Sequence, residues 1–163
     1  MSFTEQIAAK ILMQPDAVIR VERWRSDANS SIVFTNGCFD ILHRGHLEYL
    51  AKAADLGTHL IIGLNSDASV KRLKGSDRPL NKEEDRAFAL ASLSFTHLIV
   101  VFDEDTPANL IELLKPEILV KGGDYVAESI VGYTETIARG GRVEIIPFCE
   151  GYSTTSLIEK IKA

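Results

Sequence analysis

The sequence is poor in cysteine and has no long hydrophobic segment. Its two cysteines, Cys38 and Cys149, lie far apart and fit no CxxC or Cys/His zinc pattern, which argues against a disulfide-built secreted fold. No apolar run approaches the roughly 20 residues of a membrane-spanning helix. The first residues also lack a basic region followed by an apolar one, so they do not resemble a signal peptide. We therefore expect a cytoplasmic protein with no membrane partner.

Positive charge is scarce as well. Lys and Arg number 18 against 23 Asp and Glu, so the net charge is −5, and the basic residues are dispersed along the chain. Binding to nucleic acid usually requires a basic stripe or patch, so we expect no nucleic-acid partner. A small local group of basic residues that binds one polyanion is still compatible with this total.

The sequence does contain a regular alternation of apolar, β-branched runs with segments of helical periodicity. The predicted strands are Ser31–Thr35, His59–Leu64, His97–Phe102, Ile118–Lys121 and Arg142–Phe148. The predicted helices are Gly45–Leu56, Ala68–Leu73, Lys82–Leu93, Pro107–Leu114, Thr134–Arg139 and a last one from near Thr155. This pattern predicts an α/β fold with a doubly wound, parallel, five-stranded sheet and helices on both faces.

The ends of these segments carry further signals. Gly57 is a candidate C-cap of the first predicted helix, and Pro107 suits the first position of a helix. Residues 1–25 are predicted to form a leader of one or two amphipathic helices. We expect this leader to pack on the outside of a domain that spans residues 26–163.

The loop after the first predicted strand is the candidate ligand site, because ligands of open α/β sheets bind beyond the carboxyl ends of the strands. It contains neither a GxGxxG dinucleotide pattern nor a GxxxxGK[ST] phosphate loop. It contains instead His43-Arg44-Gly45-His46 at a predicted helix start. Histidines three residues apart lie on one side of a helix, where backbone N–H groups and the helix dipole favour an anion.

This spacing suits chemistry on phosphate groups. Gly45 lacks the Cβ that would crowd a phosphate near the first helical turn. Beside a polyphosphate, His43 and His46 would tend to be protonated, and they could then stabilise charge on a pentacovalent phosphorus. Two alternatives stay open: the histidines could cap the helix or belong to the core, or they could ligate a metal with Asp40 or Cys38 as the third ligand. Our prediction is that the site holds no resident metal.

The stretch from Asn36 to His46, NGCFDILHRGH, resembles the signature of the cytidylyltransferase-like nucleotidyltransferase superfamily, which carries an HxGH motif. A second superfamily motif, a Ser/Thr-rich turn that opens the last helix, is similar to Gly151–Ile158. Residues 31–160 further resemble the adenylyltransferase domains of ADP-heptose synthases. The stretches that carry this likeness are Asn65–Gly75, Arg78–Asn81, Phe102–Pro107 and Val120–Tyr125.

The resemblance implies a reaction. ATP, with Mg²⁺ as cofactor, and D-glycero-β-D-manno-heptose 1-phosphate would give pyrophosphate and ADP-heptose, a precursor of the lipopolysaccharide core. The acceptor phosphate is already an anionic nucleophile, so alignment and charge stabilisation suffice without a general base. Such domains are often fused to a sugar kinase. Because only the leader precedes the domain here, we expect a stand-alone form, a separate kinase and, as for relatives of this fold, a homo-oligomer.

The resemblance also implies roles for particular residues. Catalysis falls to His43, His46 and Lys74, the last as a mobile lysine that neutralises phosphates. Substrate binding falls to Asp40 and Arg78, and Asp40 would orient either the substrate or the histidine loop. Nucleotide binding falls to Thr35, Asn36, Gly37, Cys38, Phe39, Gly45, Arg86, Gly122, Asp124, Ser153, Thr154 and Thr155.

Other interpretations stay open for some of these residues and for the function. Arg86 could pair with Glu83 on its own helix, and Asp124 could simply build a turn. An arginine that flanks the Ser/Thr turn in some superfamily members is absent, with Ile158 near one of its places. The alternative functions are a cytidylyltransferase for an alcohol phosphate such as glycerol 3-phosphate, a non-catalytic nucleotide-binding module and a metallohydrolase.

Overall fold

Six parallel strands form one sheet in the order β1-β4-β3-β2-β5-β6 in the computed structural model, which describes residues 1–163. The strands are β1 (Ile11–Leu12), β2 (Ile32–Gly37), β3 (His59–Asn65), β4 (Leu98–Phe102), β5 (Ile118–Gly122) and β6 (Arg142–Ile146). The helices are α1 (Phe3–Ala8), α2 (Gln14–Arg25), α3 (Arg44–Ala54), α4 (Asp67–Lys74), α5 (Glu83–Ala91), α6 (Ala108–Leu114), α7 (Tyr133–Ala138) and α8 (Thr154–Lys162). None of these helices combines the length and the apolar character that crossing a bilayer requires.

The predicted doubly wound parallel α/β fold is confirmed, with one strand more than the sequence predicts. The extra strand is β1, whose Ile11 and Leu12 pair with Ile99 and Val100 of β4 at the edge of the sheet. The predicted leader is therefore not wholly outside the domain. Its second helix, α2, also buries two side chains, Ala17 and Val21, in the core.

Successive strand residues contribute side chains to two hydrophobic cores, one on each face of the sheet, because neighbouring side chains of a strand point to opposite sides. On one face, here called the α3 face, Val33 of β2 packs with residues of α3 and α5. On the other face, here called the α6 face, Ile32 and Phe34 of β2 pack with residues of α2 and α6. Both faces of the central strands are buried, which explains why these strands are almost wholly apolar.

The switch point lies between β2 and β5. From β2 the chain adds β3 and β4 on one side, and it then returns to place β5 and β6 on the other side. Connections that leave β2 and β5 therefore diverge at the carboxyl edge and open a crevice there.

Gly57 does not cap α3, because that helix ends at Ala54 and Asp55 occupies the C-cap position. A Cβ on Gly57 would lie 2.6 Å from Val33 Cγ2 and 2.7 Å from the Ser31 carbonyl oxygen. The glycine thus permits a close approach of the α3–β3 connection to the start of β2. Pro107 is likewise the N-cap of α6 and not its first helical residue.

Candidate active site

A cleft of about 800 Å³ opens at the carboxyl edge of the sheet, at the switch point between β2 and β5. It brings together most of the residues that the sequence assigns to a site. The predicted residues that line it are Asn36, Gly37, Cys38, Phe39, Asp40, His43, Gly45, His46, Lys74, Arg78, Gly122, Ser153, Thr154 and Thr155. Three predicted residues, Thr35, Arg86 and Asp124, do not line the cleft.

The two histidines stand side by side at the start of α3. Their ring centroids are 3.8 Å apart and their planes differ by 19°. His43 is the N-cap residue of α3, and its Nδ1 accepts a hydrogen bond of 3.3 Å from the His46 backbone N–H. His43 therefore caps the helix, as one alternative predicted, and it also lines the cleft. The Phe39 ring packs against the ring of His46 in a T-shaped arrangement with a centroid distance of 5.3 Å.

Both imidazoles are neutral near pH 7 in the unliganded protein. Burial, followed by the nearby His43, lowers the pKa of His46 to about 4, although the Ile41 backbone acts in the opposite direction. Burial also lowers the pKa of His43. The Nδ1 atom of His46 is buried and makes no well-formed hydrogen bond. Protonation of this pair, as the sequence motif suggests, therefore requires the negative charge of a bound ligand.

Gly45 allows the Ser/Thr turn to approach the histidine pair. A Cβ on this residue would lie 2.9 Å from Tyr152 Cβ and 3.1 Å from His43 Nδ1. The Tyr152 ring stacks beyond His43 at a centroid distance of 6.2 Å. Gly45 thus makes room for protein side chains, besides any room that it leaves for a phosphate.

The Ser/Thr turn itself opens α8 on the same cleft. Ser153 is the N-cap residue, and its Oγ accepts a 3.0 Å hydrogen bond from the Ser156 backbone N–H. Thr154 and Thr155 follow in the first turn and line the cleft. The N-termini of α3 and α8 therefore meet the same cavity through Gly45 and Tyr152.

The carboxylate of Asp40 is committed to the protein and is only 3% exposed. It accepts hydrogen bonds from Arg78 Nε at 2.7 Å and from the Leu80 and Asn81 backbone N–H groups at 2.9 Å. Burial raises the pKa of Asp40, but the bonds from Asn81, Leu80 and Arg78 outweigh it and leave this pKa below its usual value. Asp40 thus anchors the segment 78–81 against the histidine loop, which is one of the two roles expected for it, and its contact with substrate stays a prediction. Arg78 lines the cleft.

Arg86 lies beneath the cleft. The predicted nucleotide contact is corrected here, because acceptors of the protein itself already occupy the guanidinium. Its guanidinium, in a residue only 2% exposed, donates to the carbonyls of Asn81 at 3.0 Å, Cys38 at 2.6 Å and Asn65 at 2.9 Å. It also pairs with Asp67 at 2.9 Å. The alternative pair with Glu83 is not formed, since Glu83 accepts from the Asp67 backbone N–H instead.

Thr35 and Asp124 flank the cleft without lining it. Thr35 is fully buried, and its Oγ1 lies 2.6 Å from the hydroxyl of Tyr49, whose pKa burial raises to about 12. Asp124 is exposed in the loop after β5. At Gly122, in contrast, a Cβ would lie 2.9 Å from Phe148 Cε1 and 3.0 Å from Tyr49 Cε2, so the glycine is needed for close packing under the cleft.

Two lysines reach the cleft from different elements. Lys74 is exposed in the last turn of α4, whereas Lys121 is half-buried near the end of β5. Lys121 was not among the predicted site residues, although its stretch carries part of the resemblance. The signal that could have identified it is a single cation near the end of an otherwise apolar parallel strand.

Residues 34–160 match the family described as cytidylyltransferase-like. The chain belongs to this family. Membership makes it a nucleotidyltransferase, and the cleft with its HxGH motif lies within the matched residues.

Similar proteins extend this finding. The chain is 53% identical over 146 residues to a bifunctional protein HldE of Geotalea uraniireducens (strain Rf4). This match covers 90% of this chain and 29% of the relative. It is 60% identical over 131 residues to a bifunctional protein HldE of Helicobacter pylori (strain G27). That match covers 80% of this chain and 27% of the relative. The chain thus spans less than a third of the length of these relatives.

A solved structure resembles the fold. It is the lipopolysaccharide core biosynthesis protein from Thermoplasma volcanium GSS1, with a TM-score of 0.61 and 26% sequence identity. The likeness covers 76% of this chain and 99% of that one.

No three His, Cys, Asp or Glu side chains of this nucleotidyltransferase lie close enough together to hold a metal ion. Asp40, one candidate for a third ligand beside the histidines, is occupied by Arg78 and two backbone amides. The residues present therefore do not form a protein-only metal site around the HxxH pair.

The folded protein is expected to lose stability in acid because of its four histidines. Burial lowers the pKa of each one. The second pair lies at the opposite edge of the sheet, where His59 stacks on Trp24 at 4.3 Å and His97 Nδ1 accepts the Leu60 N–H at 3.1 Å. The unfolded chain binds protons below about pH 6.5, and the folded chain binds them only at lower pH. We expect the urea midpoint to fall as the pH decreases from about 6.5 towards 4.

A double variant, His59→Gln with His97→Gln, is expected to reduce this pH dependence, since it removes two of the four groups. The comparison uses the slope of the urea midpoint against pH, so a uniform loss of stability does not affect it. A slope equal to that of the wild type would contradict this explanation.

Proposed function

We propose that this nucleotidyltransferase transfers AMP from MgATP to D-glycero-β-D-manno-heptose 1-phosphate, forming ADP-heptose and pyrophosphate. The observation that carries the proposal is the stacked pair His43/His46, which shares one cleft with the N-terminus of α8. The choice of ATP and of this sugar phosphate rests on the sequence resemblance of residues 31–160. The similarity to a lipopolysaccharide core biosynthesis protein supports a role in making a precursor of that core.

The chemistry would be an in-line displacement at the α-phosphorus. An anionic oxygen of the acceptor phosphate forms a bond to this phosphorus, while the bond to the β-phosphate oxygen breaks and pyrophosphate leaves with the electron pair. No proton has to be removed from the nucleophile. The protein's contribution would therefore be alignment of the two substrates and stabilisation of the charge on the phosphoryl and leaving oxygens.

The cleft contains groups that suit each of these tasks. Lys74 and Arg78, the latter paired with Asp40, bring basic side chains to the cleft, and the first turns of α3 and α8 present backbone N–H groups. His43 and His46 are neutral in the empty cleft, but the negative charge of a bound triphosphate would raise both pKa values. Nucleotide binding would then bring in the proton that makes the pair cationic.

Mg²⁺ would enter as part of the MgATP substrate. The chain has no cluster of three His, Cys, Asp or Glu ligands, so the phosphate oxygens would supply the main coordination. When bound with the nucleotide, the metal would supply positive charge that offsets the charge of the phosphates. The residues of the cleft would orient the nucleotide around it.

The test is pyrophosphate release, with product mass measured in parallel. The protein is incubated with Mg²⁺ and either ATP or CTP, against heptose 1-phosphate in each anomeric form and against glycerol 3-phosphate. We expect release only with ATP and the β-anomer of the heptose phosphate. Release only with CTP and glycerol 3-phosphate would refute the proposed substrates, and ATP binding without release for any acceptor would indicate a binding module.

Two partner assignments belong to the same proposal. The phosphorylated acceptor would come from a sugar kinase that acts before this enzyme. The enzyme itself would form a homo-oligomer, as relatives of the fold do. Light scattering coupled to size-exclusion chromatography measures the second point directly.

A further inference from the structure

The cleft extends onto both faces of the sheet. His46 and Tyr49 belong to α3 and His43 caps it, and the buried side chains of this helix pack on the α3 face. The other part of the cleft, here called the α6-side lobe, is lined by Asn36, Asn65, Thr106, Lys121, Tyr125 and Ser129. A reaction between two substrates needs two subsites that meet at one phosphorus, and this division provides them.

The position of Lys121 on the α6 face follows from the strand pattern. Val120 contributes to the α3-side core and Leu119 to the α6-side core, so the next residue points to the same side as Leu119. Asn36 points there too, because a Cβ on Gly63 would lie 3.3 Å from Asn36 Cβ and 2.8 Å from Phe34 Cζ of the α6-side core.

Lys121 is a half-buried cation with no anionic partner in the protein. None of the hydrogen bonds or ion pairs in the structure includes its Nζ atom, and burial raises the pKa of the neighbouring Cys38 thiol, which favours the neutral form of that thiol. The Tyr125 ring lies 5.9 Å from Nζ. Burial without a counter-ion lowers the pKa of Lys121, which shows that the charge is poorly solvated there. A lysine in this state gains most from an anionic ligand.

The rest of the α6-side lobe combines uncharged polar groups with apolar residues of the α6-side core, Leu119 and Ile130. Two amides, Asn36 and Asn65, and two hydroxyls, Thr106 and Ser129, line it, whereas Asp105 at its margin is paired with Arg72 at 2.8 Å. Such groups suit the hydroxyls of a sugar. The triphosphate has the two histidines on the α3 side of the cleft, where His46 packs against Phe39 of the α3-side core.

We propose that the α6-side lobe binds the sugar-phosphate acceptor and that Lys121 binds its phosphate. The inference rests on the proposed transfer to a sugar phosphate, and it assigns the acceptor subsite of that reaction. Lys121 would hold the attacking phosphate next to the α-phosphorus while the lobe's amides and hydroxyls bind the sugar. The family resemblance gives substrate binding to Asp40 and Arg78 and assigns no role to Lys121.

The test compares Lys121→Met with the wild type. Methionine keeps the length of the side chain and removes its charge. We expect the KM for heptose 1-phosphate to rise by about tenfold to a hundredfold, the scale of a lost charge-assisted hydrogen bond. The KM for MgATP is expected to stay within about twofold, and Lys121→Arg is expected to retain part of the acceptor binding.

The matched control is Lys160→Met, because Lys160 is an exposed lysine of α8 that does not line the cleft. It is expected to leave both KM values unchanged. The Tm separates a binding role from a structural one: without a protein partner, Lys121→Met is expected to keep or raise the Tm. A lower Tm with an unchanged acceptor KM would overturn the proposal, and so would an equal rise in both KM values.

A binding measurement keeps this inference separate from the proposed function. Calorimetry follows heptose 1-phosphate binding to the protein saturated with a non-hydrolysable ATP analogue. If the wild type binds the sugar phosphate and Lys121→Met does not, the subsite assignment stands even without turnover. Equal binding by both proteins, or no binding to the wild type, would refute the assignment.

Discussion

Replacing His46 by glutamine is expected to lower kcat by about 10²- to 10³-fold, the effect of removing one preorganised charge-stabilising group. Glutamine has a similar size and can donate a hydrogen bond, but it cannot carry the proton that a bound triphosphate would place on the imidazole. His46 is a better site for this test than His43, because His43 also caps α3. Single-turnover rates with saturating MgATP and acceptor measure the effect on the chemical step.

The matched control is His59→Gln. His59 is also half-buried and stacked on an aromatic ring, but it lies at the opposite edge of the sheet. We expect this variant to keep kcat within about twofold. If His46→Gln also kept kcat at that level while the protein stayed folded, the histidine pair would not be the centre of the reaction.

The second large effect is expected for Arg86→Met, which should lower the free energy of unfolding by about 3–5 kcal/mol, as for other buried ion pairs that lose one partner. The variant leaves the carbonyls of Cys38, Asn65 and Asn81 without their donor. It also leaves Asp67 without its cation. Urea unfolding with constant m-value measures the loss.

Two further variants make this result specific. Arg86→Lys is expected to recover little, because one ammonium group cannot reach acceptors arranged around a planar guanidinium. Arg139→Met removes a partly exposed ion pair with Glu112 and is expected to cost about 0–1 kcal/mol. A stable Arg86→Met protein that had lost only its ATP affinity would restore the direct nucleotide contact predicted from the sequence.

Local sequence patterns were sufficient for most of the fold. The central strands β2 to β5 are rich in apolar residues because both of their faces are covered, and the prediction placed each of β2 to β6 within two residues of its observed ends. The short strand β1 has only two residues, and its pairing with β4 depends on a tertiary contact that no local pattern reveals. Gly57 has the composition signal of a helix cap, but a close approach to β2 explains it instead.

The site shows the same division. The HxGH residues and the Ser/Thr turn are contiguous motifs, so the sequence located them without knowledge of the fold. Arg86 was assigned to the nucleotide, and the role of Asp40 was left between substrate and histidine loop, because the sequence shows that a residue is charged but not which partner is already present. Lys121 was missed for the opposite reason, since its lack of a partner is visible only in three dimensions.

The hydrogen bonds of Asp40 and Arg86 also determine when the loop becomes ordered. Together they tie the Cys38–Asp40 segment to residues 78–81 and to the end of β3. Ordering a flexible backbone costs about 1–2 kcal/mol per residue in conformational entropy. Because the protein's own hydrogen bonds already hold these segments, that entropy is lost when the chain folds and not when substrates bind. Binding energy at this end of the cleft is then available for the substrates themselves.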